Sequence, residues 1–144
     1  MDTGRQEIST NAAPPPVGLY PHARRAGNLL FLSGVGPRSA SGVDIPGVTL
    51  DAAGAVVAKD IEAQCRSVFQ NVRTILEAAG ARWEDLVDVT VFLTDMKNDF
   101  PVYNRLWAEY FRDVRPCRTT LEINCLPTPI GIELKCIAVI PESR

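Results

Sequence analysis

From Arg115 to Ile140 the chain has few options other than extended backbone. The run Arg115-Pro116-Cys117-Arg118-Thr119-Thr120-Leu121-Glu122-Ile123-Asn124-Cys125-Leu126-Pro127 is bounded by proline and carries several β-branched residues, and Gly131-Ile132-Glu133-Leu134-Lys135 follows it. The pattern predicts two strands joined by a Pro/Gly turn. Side chains alternate along a strand, so Leu121 and Ile123 are expected on one face and Arg118, Thr120, Glu122 and Asn124 on the other. Glu133 then interrupts an apolar run from Ile130 to Ile140. Charges are rarely buried without a partner, so Arg118 and Glu133 need explaining. They form a structural ion pair, sit as rim charges, or serve a site.

Upstream, periodicity sets the other elements. Ile61, Cys65, Val68, Phe69, Val72, Ile75 and Ala79 share one helical face, which predicts a helix over about 60–79. Asp60 is its candidate cap and Gly80 its stop. Val87, Val89, Val91 and Leu93 alternate with polar or aromatic residues and predict a strand with those four on one face. A second helix is expected over about 99–111, entered through Asp99 and Pro101. Its aromatic stripe of Phe100, Tyr103, Trp107, Tyr110 and Phe111 reads as core packing. Asn28 to Ser33 is a short strand ended by Gly34, and hairpin pieces are expected at Val48 to Leu50 and Ala55 to Val57. Residues 1–16 read as an irregular arm, partly disordered at its start, before a single domain over 17–144.

These elements predict an α+β fold, a mainly antiparallel sheet with two helices packed on one face. Ile137 and Val139 share the Glu133 side of the last strand, so the other face is partly apolar, and a partner subunit is its simplest cover. At 144 residues the chain suits one domain with one core. A net charge of −2 argues against a non-specific nucleic-acid binder. Four scattered cysteines and one histidine do not form the paired ligand spacing of a structural zinc site. Free thiols, with no apolar secretion signal or membrane span, lead to the expectation of a cytoplasmic protein.

The chain contains no G-x-S-x-G, G-x-x-x-x-G-K-[ST] or G-x-G-x-x-G run. What remains for chemistry is a guanidinium, a carboxylate and backbone groups. Arg118 can grip a carboxylate with two parallel N–H···O bonds, and Glu133 can handle the protons of an attacking water.

Arg118-Thr119-Thr120, Leu126-Pro127 and Ile132-Glu133-Leu134-Lys135-Cys136-Ile137-Ala138 resemble the closing signature of the RidA/YjgF family of trimeric enamine/imine deaminases. Tyr20, Ser33-Gly34, Ile75-Leu76-Glu77-Ala78-Ala79-Gly80, Val89 to Met96 and Asn98-Asp99-Phe100 with Asn104 extend the resemblance over about 120 residues. It implies a chorismate-mutase-like homotrimer with sites at subunit boundaries, small carboxylate-bearing imine or enamine substrates, and no cofactor or metal. It implies that Arg118 binds the substrate carboxylate and Glu133 orients water, with Tyr20, Ser33, Gly34, Asn104 and Thr120 lining the pocket. Thr120 stands where many members carry cysteine. Tyr20 to Gly27, Phe100 to Asn104 and Arg118-Thr119-Thr120 resemble the 2-aminomuconate deaminase branch, whose substrate has a second carboxylate. His22, Arg24, Arg25 or Arg38 is expected to meet it. The alternatives are a non-catalytic sensor of small carboxylates using the Arg118 pocket, and the RNA cleavage ascribed to some members.

Overall fold

The computed structural model of the chain describes residues 5–42 and 44–142. Its elements run β1 (Arg5–Ile8), β2 (Ala23–Ala26), β3 (Leu29–Leu32), β4 (Val48–Leu50), β5 (Val56–Lys59), α1 (Ile61–Ala78), β6 (Leu86–Leu93), α2 (Met96–Phe111), β7 (Cys117–Glu122) and β8 (Ile132–Val139). A short 3-10 turn, Trp83–Asp85, precedes β6. One sheet has the order β1-β2-β3-β8-β6-β7, and β4 and β5 form a separate hairpin. All neighbours in the large sheet are antiparallel except β6 and β7. Those two run parallel, and α2 is the crossover that a parallel pair requires.

β6 and β8 form the centre of the sheet and assign every later side chain to a face. On β8, Ile132, Leu134, Cys136 and Ala138 are fully buried, while Glu133, Lys135, Ile137 and Val139 alternate with them and stay half-exposed. Val89, Val91 and Leu93 of β6 pair with Cys136, Leu134 and Ile132 and share their burial. Both helices cover this face. α1 contributes Cys65, Val68, Phe69, Val72, Ile75 and Leu76, and α2 contributes Tyr103, Leu106 and Phe111. The sheet is therefore mainly antiparallel with two helices on one face, an α+β architecture.

The structure adds to or corrects several local expectations. The two C-terminal strands do not pair with each other, because β6 lies between β7 and β8. The loop joining them passes the end of β6, where Ile123 N–H donates to Leu93 O at 2.9 Å and Thr94 N–H to Gly131 O at 3.2 Å. A register shift between Leu86 and Asp88 turns Leu86 inward and leaves Val87 exposed, so Val87 leaves the face of Val89. α2 starts at Met96 rather than Asp99, because Asp95 caps it by accepting from Asn98 N–H. Pro101 is thus inside the helix, where it forgoes one main-chain bond. Asp99, freed from capping, is buried and ion-paired with Lys59 of β5. Finally, the arm is not wholly irregular: Arg5–Ile8 pairs with β2, and Ile8 and Ala13 are buried. Residues 1–4 of that arm lie outside the described residues. α1 matches its expectation closely, capped by Asp60 and ended at Gly80, whose φ is +77°.

Leu134 lies at the centre of this core. Replacing it with alanine should cost about 2–5 kcal/mol, read as a lower urea midpoint. A midpoint within error of wild type would contradict the assigned core.

Candidate active site

Arg118 pairs with Val89 across the parallel β6–β7 contact, and Thr120 pairs with Val91. Both therefore point toward the helices, at the edge of the sheet, beside α2. The Arg118 guanidinium carbon lies 5.0 Å from the Trp107 ring centre, 5.2 Å from Tyr103 and 5.9 Å from Phe100. Its Nη1 donates to Asn104 Oδ1 at 2.9 Å. Cation–π attraction to three rings holds the charged group without neutralising it. No described carboxylate lies within ion-pair distance of it. Tyr103 and Thr120 share a 2.9 Å hydroxyl–hydroxyl bond below the guanidinium. Burial pushes the Tyr103 phenol up, partly offset by that bond and by the Arg118 charge. Such a guanidinium keeps its remaining N–H donors available for an anion.

Three of the rings expected only to fill the core thus have a second role. Sequence periodicity located the stripe but not the cation above it, since β7 reaches α2 through pairing distant in sequence. Asn104 and Thr120 were expected beside Arg118, and the structure brings both there.

Glu133 lies on the other face of the sheet. It pairs with Phe92, one position out of phase with Val91 and Leu93. Its carboxylate packs on the backbone of Gly34, just beyond β3. A Cβ there would sit 2.7 Å from Glu133 Oε2 and 3.0 Å from its Cδ, so any larger residue would have to displace the carboxylate from this position. Glu133, Gly34, Tyr20, Arg38 and Thr128 help line a cavity of about 160 Å³. Burial pushes the Glu133 pKa above the usual glutamate range, against a smaller lowering by the Arg38 charge. A carboxyl with a raised pKa is suited to give and take protons nearer neutral pH.

Ser33 adjoins this pocket, but its hydroxyl donates to Pro21 O at 2.7 Å. Tyr20 OH accepts from Val17 N–H at 3.2 Å. The four candidate cations separate. His22 is buried, its Nδ1 accepting from Thr10 N–H at 3.3 Å and its Nε2 donating to Pro14 O at 2.7 Å. Both ring nitrogens are used to pin the arm, so its expected role toward a second carboxylate is corrected to a structural one. Arg24 lies 3.8 Å from Glu7 on the exposed β1–β2 edge, and Arg25 Nε donates to Gly27 O at 2.8 Å. Arg38 alone of the four joins Glu133 in the cavity. Two positioning residues had no sequence signal. Gln64, fully buried on α1, accepts from Gly131 N–H at 2.8 Å, and Asn71 donates to both Gly36 O and Arg38 O at 2.9 Å.

Within one chain, Arg118 and Glu133 are on opposite faces and form no ion pair. The structure presents two half-sites, a cationic one under α2 and an acidic one on the open face.

The raised Glu133 pKa makes the folded state hold its proton more tightly than the unfolded chain. Stability contributed by Glu133 should therefore fall as pH rises from the ordinary value of 4.5 toward neutrality. Glu133→Gln should remove that fall, giving a flatter melting-temperature profile and a higher value at neutral pH. Superimposable slopes would contradict the assigned environment.

Residues 10–140 match the family model described as endoribonuclease L-PSP. A RutC family protein of Pyrococcus horikoshii is 40% identical over 137 residues, covering 93% of this chain and 97% of that one. Reactive Intermediate Deaminase A of Arabidopsis thaliana, a chloroplast protein, is 35% identical over 136 residues, covering 94% of this chain and 66% of its own. Among solved structures, E. coli TdcF with bound serine superposes with a TM-score of 0.80 at 29% identity, covering 94% of this chain and 99% of that one. With the two-helix, six-stranded architecture and the residues it brings to β7, β8 and α2, these matches show that the chain belongs to the RidA/YjgF family.

Proposed function

We propose that the chain is a hydrolytic deaminase of carboxylate-bearing enamines and imines. The observation that carries this reading is the un-neutralised guanidinium of Arg118, held by three aromatic rings and one amide. A relative named as a reactive intermediate deaminase supports it. In the net reaction one imine and one water give one carbonyl compound and one ammonia. An enamine first takes a proton at carbon to become the imine. Arg118 binds the substrate carboxylate and fixes the C=N carbon. Glu133 removes a proton from water as its oxygen bonds to that carbon, and passes this proton to nitrogen as the C=N electron pair moves there. The carbinolamine then collapses: Glu133 takes the hydroxyl proton and delivers it to the nitrogen, the C–N bond breaks, the carbonyl forms and ammonia departs. General acid–base help of this kind contributes about 10²–10⁴-fold. Positioning of a substrate that is already electrophilic adds to it.

For Arg118 and Glu133 to act on one molecule, a second copy must bring its β7–α2 edge to the open face. That face carries Leu29, Phe31 and Leu121, all more than a third exposed, beside Ile137 and Val139. An apolar surface of this kind favours association, and a cyclic trimer is the assembly proposed. Within the substrate class, the segments resembling the 2-aminomuconate branch make that dicarboxylate the first compound to assay. RNA cleavage is disfavoured, because the one histidine of the chain has both nitrogens in main-chain bonds under the arm.

Arg118→Ala and Glu133→Ala should each release ammonia from 2-iminopropionate, generated in situ, about 100-fold more slowly or worse. Dissociated and reassembled together at equal amounts, the two variants should recover about a quarter of wild-type activity, the fraction of boundaries in a closed ring that pair one intact Arg118 with one intact Glu133. No recovery in mixed rings would place the site within one subunit. No ammonia from wild type, with carboxylates still bound, would replace catalysis with sensing.

A further inference from the structure

Lys135 shares a strand and a face with Glu133, and nothing in the proposed reaction uses it. Its place is set by a bulge where β3 runs out against β8. Phe31 pairs with Ile137 and Val35 with Leu134, so Leu32, Ser33 and Gly34 stand opposite only Lys135 and Cys136. One residue is extra on the β3 side, which makes this a β-bulge. Ser33 ties the bulge to the segment leading into β2, its N–H donating to His22 O at 3.0 Å and its Oγ to Pro21 O at 2.7 Å. Beyond the bulge, Val35 and Leu134 exchange main-chain bonds of 2.8 and 2.9 Å. On the β8 side, the Lys135 ammonium donates to Leu32 O, the carbonyl at which the bulge begins. Among the described residues Lys135 makes no ion pair. Its contact is with the main chain, as a charge-assisted hydrogen bond. Burial lowers the Lys135 pKa, so keeping the charge here is unfavourable unless that bond forms.

The bulge carries Gly34, and the Glu133 carboxylate rests on Gly34. Where the bulge sits therefore decides where the carboxylate sits. We propose that Lys135 is a positioning residue for Glu133: its ammonium staples the bulge through Leu32 O, so that Gly34 stays against the carboxylate and the carboxylate stays in the cavity. The inference rests on the role given to Glu133 under the proposed function. Without the staple, the bulge is held only by Ser33 and by the Val35–Leu134 pair beyond it, and Glu133 gains room to turn toward water. Placement of a proton-transferring group matters steeply, since a shift of about 1 Å can lower a rate about 100-fold. Arg118 points to the opposite face of its own sheet, so carboxylate binding should not depend on Lys135.

The test reads turnover and the Glu133 carboxyl separately. Lys135→Met should lower kcat for 2-iminopropionate about 10- to 100-fold with KM nearly unchanged. Lys135→Arg, which can reach the same carbonyl, should regain most of that loss. Glu133 is followed by NMR of its carboxyl carbon. A released bulge hydrates the carboxylate, so in Lys135→Met its pKa should fall toward the ordinary 4.5. Loss of a nearby positive charge alone would move it the other way. The other titratable or charged groups around Glu133 are unchanged in the variant: Arg38 and Tyr20 in the cavity, and Asp88, Cys117 and the Glu7–Arg24 pair on the same face. An unmoved kcat, a kcat loss that Lys135→Arg does not recover, or a Glu133 pKa that rises or stays overturns the proposal. A variant that only melts earlier does so too. If Lys135→Met does not assemble, Lys135→Gln carries the same expectations. A wild type that releases no ammonia, with the Glu133 pKa still falling in the variant, sinks the deaminase reading and leaves the staple standing.

Discussion

The antiparallel pairing of β6 with β8 is the constraint on which the rest of the molecule depends. Register fixes face in a sheet, and a slip of one residue would send every side chain to the wrong side. With Val89, Val91 and Leu93 opposite Cys136, Leu134 and Ile132, the apolar set goes to the helices. Glu133, Lys135, Ile137 and Val139 then have no choice but the open face. The bulge at Val87 ends this order, and burial passes to Leu86. Adding β7 in parallel register extends the same rule by one strand, so Arg118 arrives under α2. The separation of the two half-sites is thus a consequence of how the core is packed.

The two half-sites solve opposite electrostatic problems. At Arg118 a permanent charge must stay available, and rings and an amide hold it without a counter-ion. At Glu133 a charge must be easy to give up, and burial against Gly34 raises the cost of ionisation. Each arrangement would be unfavourable in a domain without a ligand to meet it. The Lys59–Asp99 pair shows the contrast, since there the buried Asp99 is matched by a half-buried Lys59, tying the β4–β5 hairpin to the start of α2.

Much of this was legible in the chain itself, for identifiable reasons. α1 could be read to within a residue because seven apolar positions share a face and both ends carry cap signals. The charges Arg118 and Glu133 stood out because each interrupts a strand pattern. What could not be read depends on contacts distant in sequence. β1 is a four-residue strand, Arg-Gln-Glu-Ile, with almost no apolar pattern, and it exists because β2 offers it an edge. β6 slips between β7 and β8, which no local pattern in those strands announces. His22 looked like a free cation until the arm closed over both its nitrogens. The aromatic stripe of α2 was visible, but the cation above it was not.

The central claim is that Arg118 of one subunit and Glu133 of another act on one carboxylate-bearing substrate. A crystal structure with 2-oxobutyrate, the product analogue of an imino acid, tests it most directly. The account requires the ligand carboxylate on Arg118 with two N–H···O contacts of about 2.8 Å, its carbonyl carbon facing Glu133 of the neighbouring subunit. A carboxylate bound away from Arg118, or a Glu133 directed at solvent across a subunit boundary that does not include β7, would contradict it.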